Sequence, residues 1–216
     1  MSRISKWLKA GCALGAAAAA VSLLGACSAA KMGAAAMVGG QRITTDDLNG
    51  AVTEWQKAYN ANPLPSSELR LLDTSSIPRS VLYNLVVFKL ADEAAKRQGV
   101  GVSDGSVDKA IAAVGGESRV ADEAVVMGVP PERARDYARF QLDLQGIAGA
   151  LGPRPKSMAE QQKIQAGLSK VMRTTARSMK IDVNPRYGRF DYSQLAIATD
   201  SDRLSRPESP ELPAQG

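Results

Sequence analysis

Histidine is the residue type whose absence restricts the chemistry of this chain most. None of the 216 residues is a histidine, and histidine is the usual general base and a member of Ser-His and Cys-His nucleophilic sites. Ser106 and Lys109 have the S-x-x-K spacing of an acylating serine, but the companion S-D-N and K-T-G motifs are absent. We therefore expect a polar helix face at this position, and we predict that the protein is not an enzyme and has no catalytic residue.

Acidic residues occur as three adjacent pairs, Asp46-Asp47, Asp92-Glu93 and Asp122-Glu123. Neighbouring residues on a helix point in different directions, so such pairs make poor carboxylate dyads. They predict solvated helix faces and caps instead. With no histidine and two cysteines in the chain, thiolate and imidazole zinc sites are excluded as well. We expect no metal and no cofactor.

The first 26 residues differ from the rest of the chain. They begin with three basic residues and no acidic residue, and continue with an apolar stretch from Gly11 to Gly25. That stretch is about 15 residues long, whereas a bilayer-spanning helix needs about 20. The pattern predicts a signal peptide over residues 1–26. Without Arg3, Lys6 and Lys9 the chain keeps 24 of its 27 basic residues against 22 acidic ones, so no nucleic-acid partner is expected.

Cys27 carries the clearest predicted chemistry. Cys12 lies inside the predicted signal, so Cys27 would be the only cysteine of the mature chain, without a partner for an internal disulfide. It follows Leu24-Gly25-Ala26, an ending that resembles a bacterial lipobox. The resemblance implies lipid attachment to Cys27, cleavage before it, and an exported protein anchored to the outer face of the cell membrane. An ordinary signal followed by a free thiol is the alternative.

The residues after Cys27 are small and unpatterned up to Ala36. We expect residues 27–36 to form a lipidated tether, which would reach roughly 30 Å when fully extended. A domain over residues 37–198 should follow. The last 18 residues, 199–216, contain three prolines and many charges and are expected to be disordered.

Apolar residues at helical spacing predict that most of the domain is helical. Strand patterns occur only near its two ends. The expected fold is therefore mainly α with a small β-sheet. Helices are expected over residues 45–59, 79–98, 104–114, 118–127, 131–151 and 157–178, and strands over residues 180–183 and 195–198. Residues 37–43 have two short apolar ends around Gly39-Gly40, which predicts a tight hairpin or a strand with a turn.

Two aromatic residues and one methionine are candidates for a binding surface. Trp55 and Tyr59 lie one helical turn apart, and Met127 lies at the end of a short predicted helix. Packing in the core or at its rim is the usual role of such residues. The alternative is an exposed apolar groove that takes up extended polypeptide. On that alternative, Trp55, Tyr59 and Met127 are the predicted polypeptide contacts.

The order of these elements resembles a known family. The strand MVGGQRIT precedes an acid-capped helix, and a long apolar helix is followed by GVGVSDGSVDKAI and GVPPERARDYARFQLDLQGI. This series is similar to the N-terminal chaperone domain of the SurA and PrsA group of extracytoplasmic foldases. Actinobacterial lipoproteins with a SurA N-terminal-like domain are the closer resemblance, and they share the segment VNPRYG. The resemblance covers residues 37–206 and implies a helical domain in which N- and C-terminal strands pair.

The resemblance also implies a function, the binding of unfolded or newly exported polypeptides as a chaperone-like holdase. Full members carry a parvulin-type prolyl isomerase domain between the long helix and the final helix, where this chain has only residues 152–156. We therefore expect no prolyl isomerase activity. A non-chaperone envelope scaffold with one specific protein partner is the alternative function.

Overall fold

The structure is a computed structural model of the chain, and it describes residues 32–65, 67–71 and 75–199. The predicted signal peptide and Cys27 lie outside the described residues, as does the predicted tail after Thr199. The predictions made for these segments therefore stay predictions.

A β-hairpin begins the described fold. Strand β1 (Ala34–Val38) pairs antiparallel with strand β2 (Gln41–Thr44). Gly39 and Gly40 form the turn with φ angles of +58° and +82°, a conformation that glycine adopts without steric cost. The predicted hairpin around these two glycines is confirmed.

The predicted start of the domain at residue 37 is wrong by three residues. The segment Ala34–Ala36 was expected to belong to the tether, but it forms the first part of β1 and is buried. A run of alanines has no alternation of polar and apolar residues, so its sequence does not distinguish a buried strand from a tether.

Helices make up most of the described residues, which confirms the predicted mainly α fold with a small β component. Each helix lies within a few residues of its predicted bounds. A short 3-10 turn at Pro131–Arg133 precedes the fifth helix. The helices are α1 (Thr45–Ala61), α2 (Ile77–Arg97), α3 (Asp104–Ala113), α4 (Glu117–Val126), α5 (Ala134–Leu151) and α6 (Met158–Met179).

Side-chain caps explain where several helices begin. The Thr44 hydroxyl accepts a hydrogen bond of 2.9 Å from the backbone N–H of Asp47, and the Asp47 carboxylate accepts one of 3.1 Å from the N–H of Thr44. This reciprocal capping box starts α1. Ser103 and Ser157 cap α3 and α6 in the same way, each accepting from the backbone N–H three residues on.

Helix α2 is the centre of the domain, and its buried residues form a broad face. It packs against α1, α5, α6 and β1. Val81, Leu82, Val86 and Leu90 of this helix have no exposed surface, and burial of each stabilises the fold by about 1.5–3 kcal/mol. A second apolar cluster joins α3, α4 and the start of α5 around Tyr137.

The C-terminal strands close the fold. β3 (Asp182–Val183) pairs antiparallel with β1, so the sheet has the order β2-β1-β3. The pairing of N- and C-terminal strands that the resemblance implied is therefore confirmed. β4 (Arg189–Asp191) and β5 (Ala196–Ala198) form a separate two-stranded sheet. The sequence did not predict β4, because it is three residues long and follows a turn-rich segment.

Candidate functional site

Trp55 and Tyr59 form the centre of the candidate site. Their rings stack in parallel, with centroids 5.2 Å apart and planes 9° from one another. Trp55 is only 2% exposed, whereas Tyr59 is half-buried. Trp55 therefore lies beneath the surface, and Tyr59 is the ring that reaches it.

Met127, the third predicted contact, immediately follows α4. Its side chain is half-buried against the apolar cluster of α3, α4 and α5. The structure therefore brings Trp55 and Tyr59 together, while the side chain of Met127 packs elsewhere. The backbone of Met127 is nevertheless part of the same site.

The C-terminal end of α4 lies against α1 and α2. The last carbonyl groups of a helix have no partner within it, and here side chains of other helices add donors to the backbone N–H groups that follow α4, such as that of Gly128, which bonds the carbonyl oxygen of Val125 at 3.0 Å. The indole Nε1 of Trp55 donates to the carbonyl oxygen of Val125 at 2.9 Å. The Nδ2 atom of Asn84, on α2, donates to the carbonyl oxygens of Met127 at 2.8 Å and Gly128 at 3.1 Å. Asn84 was not among the residues predicted from the sequence, although an amide within the apolar face of α2 was a usable signal.

A segment between α1 and α2 covers this end of α4. We call it the leucine strap and define it as the described residues 62–65 and 67–71. The side chains of Leu64, Leu69 and Leu71 are half-buried, whereas every other described residue of the strap is exposed. The strap thus turns its leucines inwards and its polar and proline residues outwards.

Beyond the bond from the N–H of Asn62 to the carbonyl oxygen of Ala58 at the end of α1, two hydrogen bonds to its main chain hold the strap. The hydroxyl of Tyr59 donates to the carbonyl oxygen of Leu64 at 3.0 Å. The backbone N–H of Arg70 donates to the carbonyl oxygen of Val126 at 2.9 Å. Both bonds use the main chain of the strap, so neither depends on which side chain stands at position 64 or 70.

Gly128 makes room for the last leucine of the strap. Its φ angle is +75°, and a β-carbon added there would lie 2.5 Å from Cδ2 of Leu71. A side chain at position 128 would therefore be strained and would also displace Leu71. We call the surface formed by Tyr59, Val126 and Gly128 the strap seat.

The other aromatic residues near the C-terminus stabilise the fold. Tyr187 and Phe190 are buried in the main core. The rings of Phe190 and Tyr192 pack edge to face, with their centroids 5.2 Å apart. The Tyr192 hydroxyl donates to the carbonyl oxygen of Ile181 at 2.9 Å. These contacts attach β4 and β5 to the helices.

A second concave region of about 330 Å³ lies between β3 and the two-stranded sheet. The guanidinium of Arg186 lies 5.9 Å from the ring centroid of Tyr187 at its margin. Its lining includes charged residues, whereas the strap seat has none. The lining residues are Asp182, Val183, Pro185, Arg186, Gly188, Arg189, Ala198 and Thr199.

The residues with possible catalytic spacing have structural roles in the described chain. Ser106 lies at the start of α3, with its hydroxyl 2.9 Å from that of Ser103. Asp92 pairs with Lys96 at 2.5 Å, and the neighbouring Glu93 pairs with an arginine one turn on. In residues 32–65, 67–71 and 75–199, no group of three acidic, cysteine or histidine side chains is arranged to hold a metal ion.

Asp143 on α5 is an unusual buried acid. It has no exposed surface, and neither carboxylate oxygen has a hydrogen-bond partner among the described residues. Burial, and secondly the nearby charge of Asp92, raise the pKa of Asp143 to about 6, while Arg139 and Lys96 act in the opposite direction. This acid was not among the residues predicted from the sequence, where it lies beside the apolar stripe of α5.

Comparison with known proteins gives one match. A family model described as the SurA-like N-terminal domain matches residues 1–116, more than half of the chain. The chain belongs to the family of proteins with a SurA-like N-terminal domain. The match of this SurA-like chain covers α1, α2, α3 and the hairpin, and therefore includes Trp55, Tyr59 and the leucine strap. No curated protein and no solved structure matches the chain significantly.

The family assignment confirms the resemblance drawn from the sequence and places the chain in a chaperone-type fold family. Six residues, 152–157, join α5 to α6, the position at which the isomerase domain was expected in full members. Within the residues that the structure covers, no helix is both long and apolar enough to cross a bilayer.

Proposed function

We propose that this SurA-like chain is an exported lipoprotein that holds unfolded or newly exported polypeptides near the membrane without prolyl isomerase activity. The observation that carries the proposal is the match to the SurA-like N-terminal domain. The proposed partners are polypeptides and, through the lipid on Cys27, the membrane. No nucleic acid, metal or cofactor takes part in the proposed function.

The chemistry of the strap seat supports a holding function. The hydroxyl of Tyr59 and the carbonyl of Val126 bond main-chain atoms, which every polypeptide offers. The surface that partly buries the strap leucines offers apolar contact that depends on size more than on sequence. A holdase needs this combination because its clients share a backbone and apolar side chains but no sequence.

The position of the first strand supports an anchored protein that acts close to the bilayer. β1 begins at Ala34, so six residues separate it from Cys27. Those six residues span at most about 20 Å at the extended length of a chain. Lipid attached at Cys27 would hold the domain at the membrane surface, where exported chains emerge.

Crosslinking in intact cells tests the proposal and separates it from the scaffold alternative. The full chain is crosslinked, purified under denaturing conditions, and the captured proteins are identified. Many different exported proteins, captured before they fold, are the expected result. A single stoichiometric envelope protein would favour a specific scaffold and contradict the holdase function.

A further inference from the structure

We infer that the strap seat is the surface that binds client polypeptide, and that the leucine strap and the client exclude one another there. The inference rests on the proposed holding function and adds the location and the chemistry of the site. The strap is then an intramolecular occupant of the seat, and its contacts show what a client must supply.

The strap is bound in the manner of an extended peptide. Three leucines face inwards at positions 64, 69 and 71 while the residues between them are exposed. The backbone N–H of Arg70 bonds the carbonyl oxygen of Val126, a carbonyl near the end of α4. Inward side chains on a main-chain-bonded segment are typical of peptides held against a protein surface.

The strap is attached weakly enough to be displaced. Fifteen residues join Ala61 to Ile77, and those of them that the structure describes form no helix or strand; long connections of this kind are usually functional. The described strap has three hydrogen bonds to residues outside its own loop, and apart from the one from Asn62 to Ala58 at the end of α1 they are those of Tyr59 and Val126. None of its leucines is fully buried, so displacement of the strap costs little apolar contact. A client that offers the same groups replaces that contact.

The seat defines the class of client. An aliphatic side chain fits over Gly128, where a β-carbon would collide with Leu71. The hydroxyl of Tyr59 needs a main-chain carbonyl, and the carbonyl of Val126 needs a main-chain N–H. The client is therefore an extended segment with aliphatic side chains at spaced positions, and no charge on the client is required.

Two variants have opposite expected effects on this site. Leu71→Ala removes an anchor of the strap and leaves the seat intact, so more of the protein presents an empty seat. Gly128→Ala obstructs the seat itself. Gly99→Ala is the matched control, because Gly99 has a φ angle of +72° against +75° for Gly128 and has open space around it.

The probe is a fluorescein-labelled peptide with the sequence of residues 62–71, NPLPSSELRL. Its binding to the full chain in detergent micelles is measured by anisotropy, with a peptide that carries alanine at its last position as control. A permanently unfolded client, reduced and carboxymethylated lactalbumin, serves as competitor. Circular dichroism and the urea midpoint establish that each variant is folded.

Leu71→Ala should lower the apparent Kd of the peptide and of the client by roughly three- to tenfold, because the competing strap binds the seat more weakly. Gly128→Ala should raise both Kd values by a smaller factor, because its β-carbon hinders the competing Leu71 as well as the client, and Gly99→Ala should match the wild-type chain. The client should displace the peptide. If Gly128→Ala does not fold, the effect of Leu71→Ala and the competition decide the question.

Two contrary results have different meanings. If the wild-type chain binds the client but neither variant changes its Kd, the seat is not the client site, and the holding function stands. If neither the wild-type chain nor Leu71→Ala binds the client, the holding function fails and the inference fails with it. An effect of the same sign in both variants would also overturn the mutual exclusion.

Discussion

The indole nitrogen of Trp55 donates a buried hydrogen bond of 2.9 Å to the carbonyl oxygen of Val125, seventy residues further along the chain. This bond connects α1 to the C-terminal end of α4. It also places the stacked ring of Tyr59 beside the leucine strap. The geometry of the strap seat therefore depends on a side chain that is itself inaccessible to a client.

Replacement of Trp55 by phenylalanine tests this connection. The variant leaves the carbonyl of Val125 without its indole donor, so the free energy of unfolding should fall by about 1–3 kcal/mol. Urea denaturation followed by circular dichroism measures the change. Lys57→Ala, on the same helix but with 80% of its side chain exposed, should change stability by less than about 0.5 kcal/mol. Equal effects of the two variants would contradict the role given to Trp55.

Asn84 should contribute as much as Trp55 to the stability of the C-terminal end of α4. Asn84→Ala removes the donor to two carbonyl oxygens, those of Met127 and Gly128. We expect a loss of about 1–3 kcal/mol in the free energy of unfolding. Thr53→Ala is the control, because Thr53 makes only an exposed bond to the backbone of its own helix. A wild-type urea midpoint for Asn84→Ala would show that the carbonyls find other partners.

The buried carboxyl group of Asp143 should give the free energy of unfolding an unusual pH dependence. Its folded-state pKa of about 6 lies above its ordinary value of 3.8, so the folded chain binds this proton more tightly than the unfolded chain. The contribution of Asp143 to stability is therefore greatest below pH 4 and is lost as the pH rises to 6 and beyond.

Asp143→Asn should remove this dependence. At pH 7 the variant should be more stable than the wild-type chain by on the order of 2–3 kcal/mol, and the difference should vanish near pH 4. Urea midpoints across this range provide the measurement. Asp136→Asn, at a largely exposed position on the same helix, should show no such gain. A constant difference between Asp143→Asn and wild type at every pH would exclude titration of Asp143 as its cause.

The proposed anchor is tested by fractionation of cells. Cys27→Ser should move the protein from the membrane fraction to the soluble fraction, because the lipid would have no thiol to attach to. The chain offers a matched control in Cys12, which lies within the predicted signal peptide. Cys12→Ser should stay with the membrane. Retention of Cys27→Ser in the membrane fraction would contradict lipidation at this residue.

The sequence predicted the helical part of the fold well because its signals are local. The capping box of Thr44 and Asp47 and the Pro78 near the start of α2 are short patterns with one structural outcome. The hairpin at Gly39 and Gly40 is equally local. Each of these patterns marks an element boundary without any information from the rest of the chain.

The candidate site was only partly predictable because its contacts are long-range. Trp55 and Tyr59 were named from their helical spacing, and the structure shows them stacked. The bond from Asn84 to residues 127 and 128 joins positions more than forty residues apart, and no local pattern encodes it. The burial of Asp143 is likewise decided by how α5 packs on α2.

The central claim is that the chain holds unfolded polypeptide, and a light-scattering assay tests it most directly. The full chain in detergent micelles is added to a chemically denatured client as the denaturant is diluted. We predict that aggregation is suppressed in proportion to the amount of chain added, and more strongly by Leu71→Ala than by the wild-type chain. Aggregation that proceeds at the same rate with and without the chain would contradict the claim.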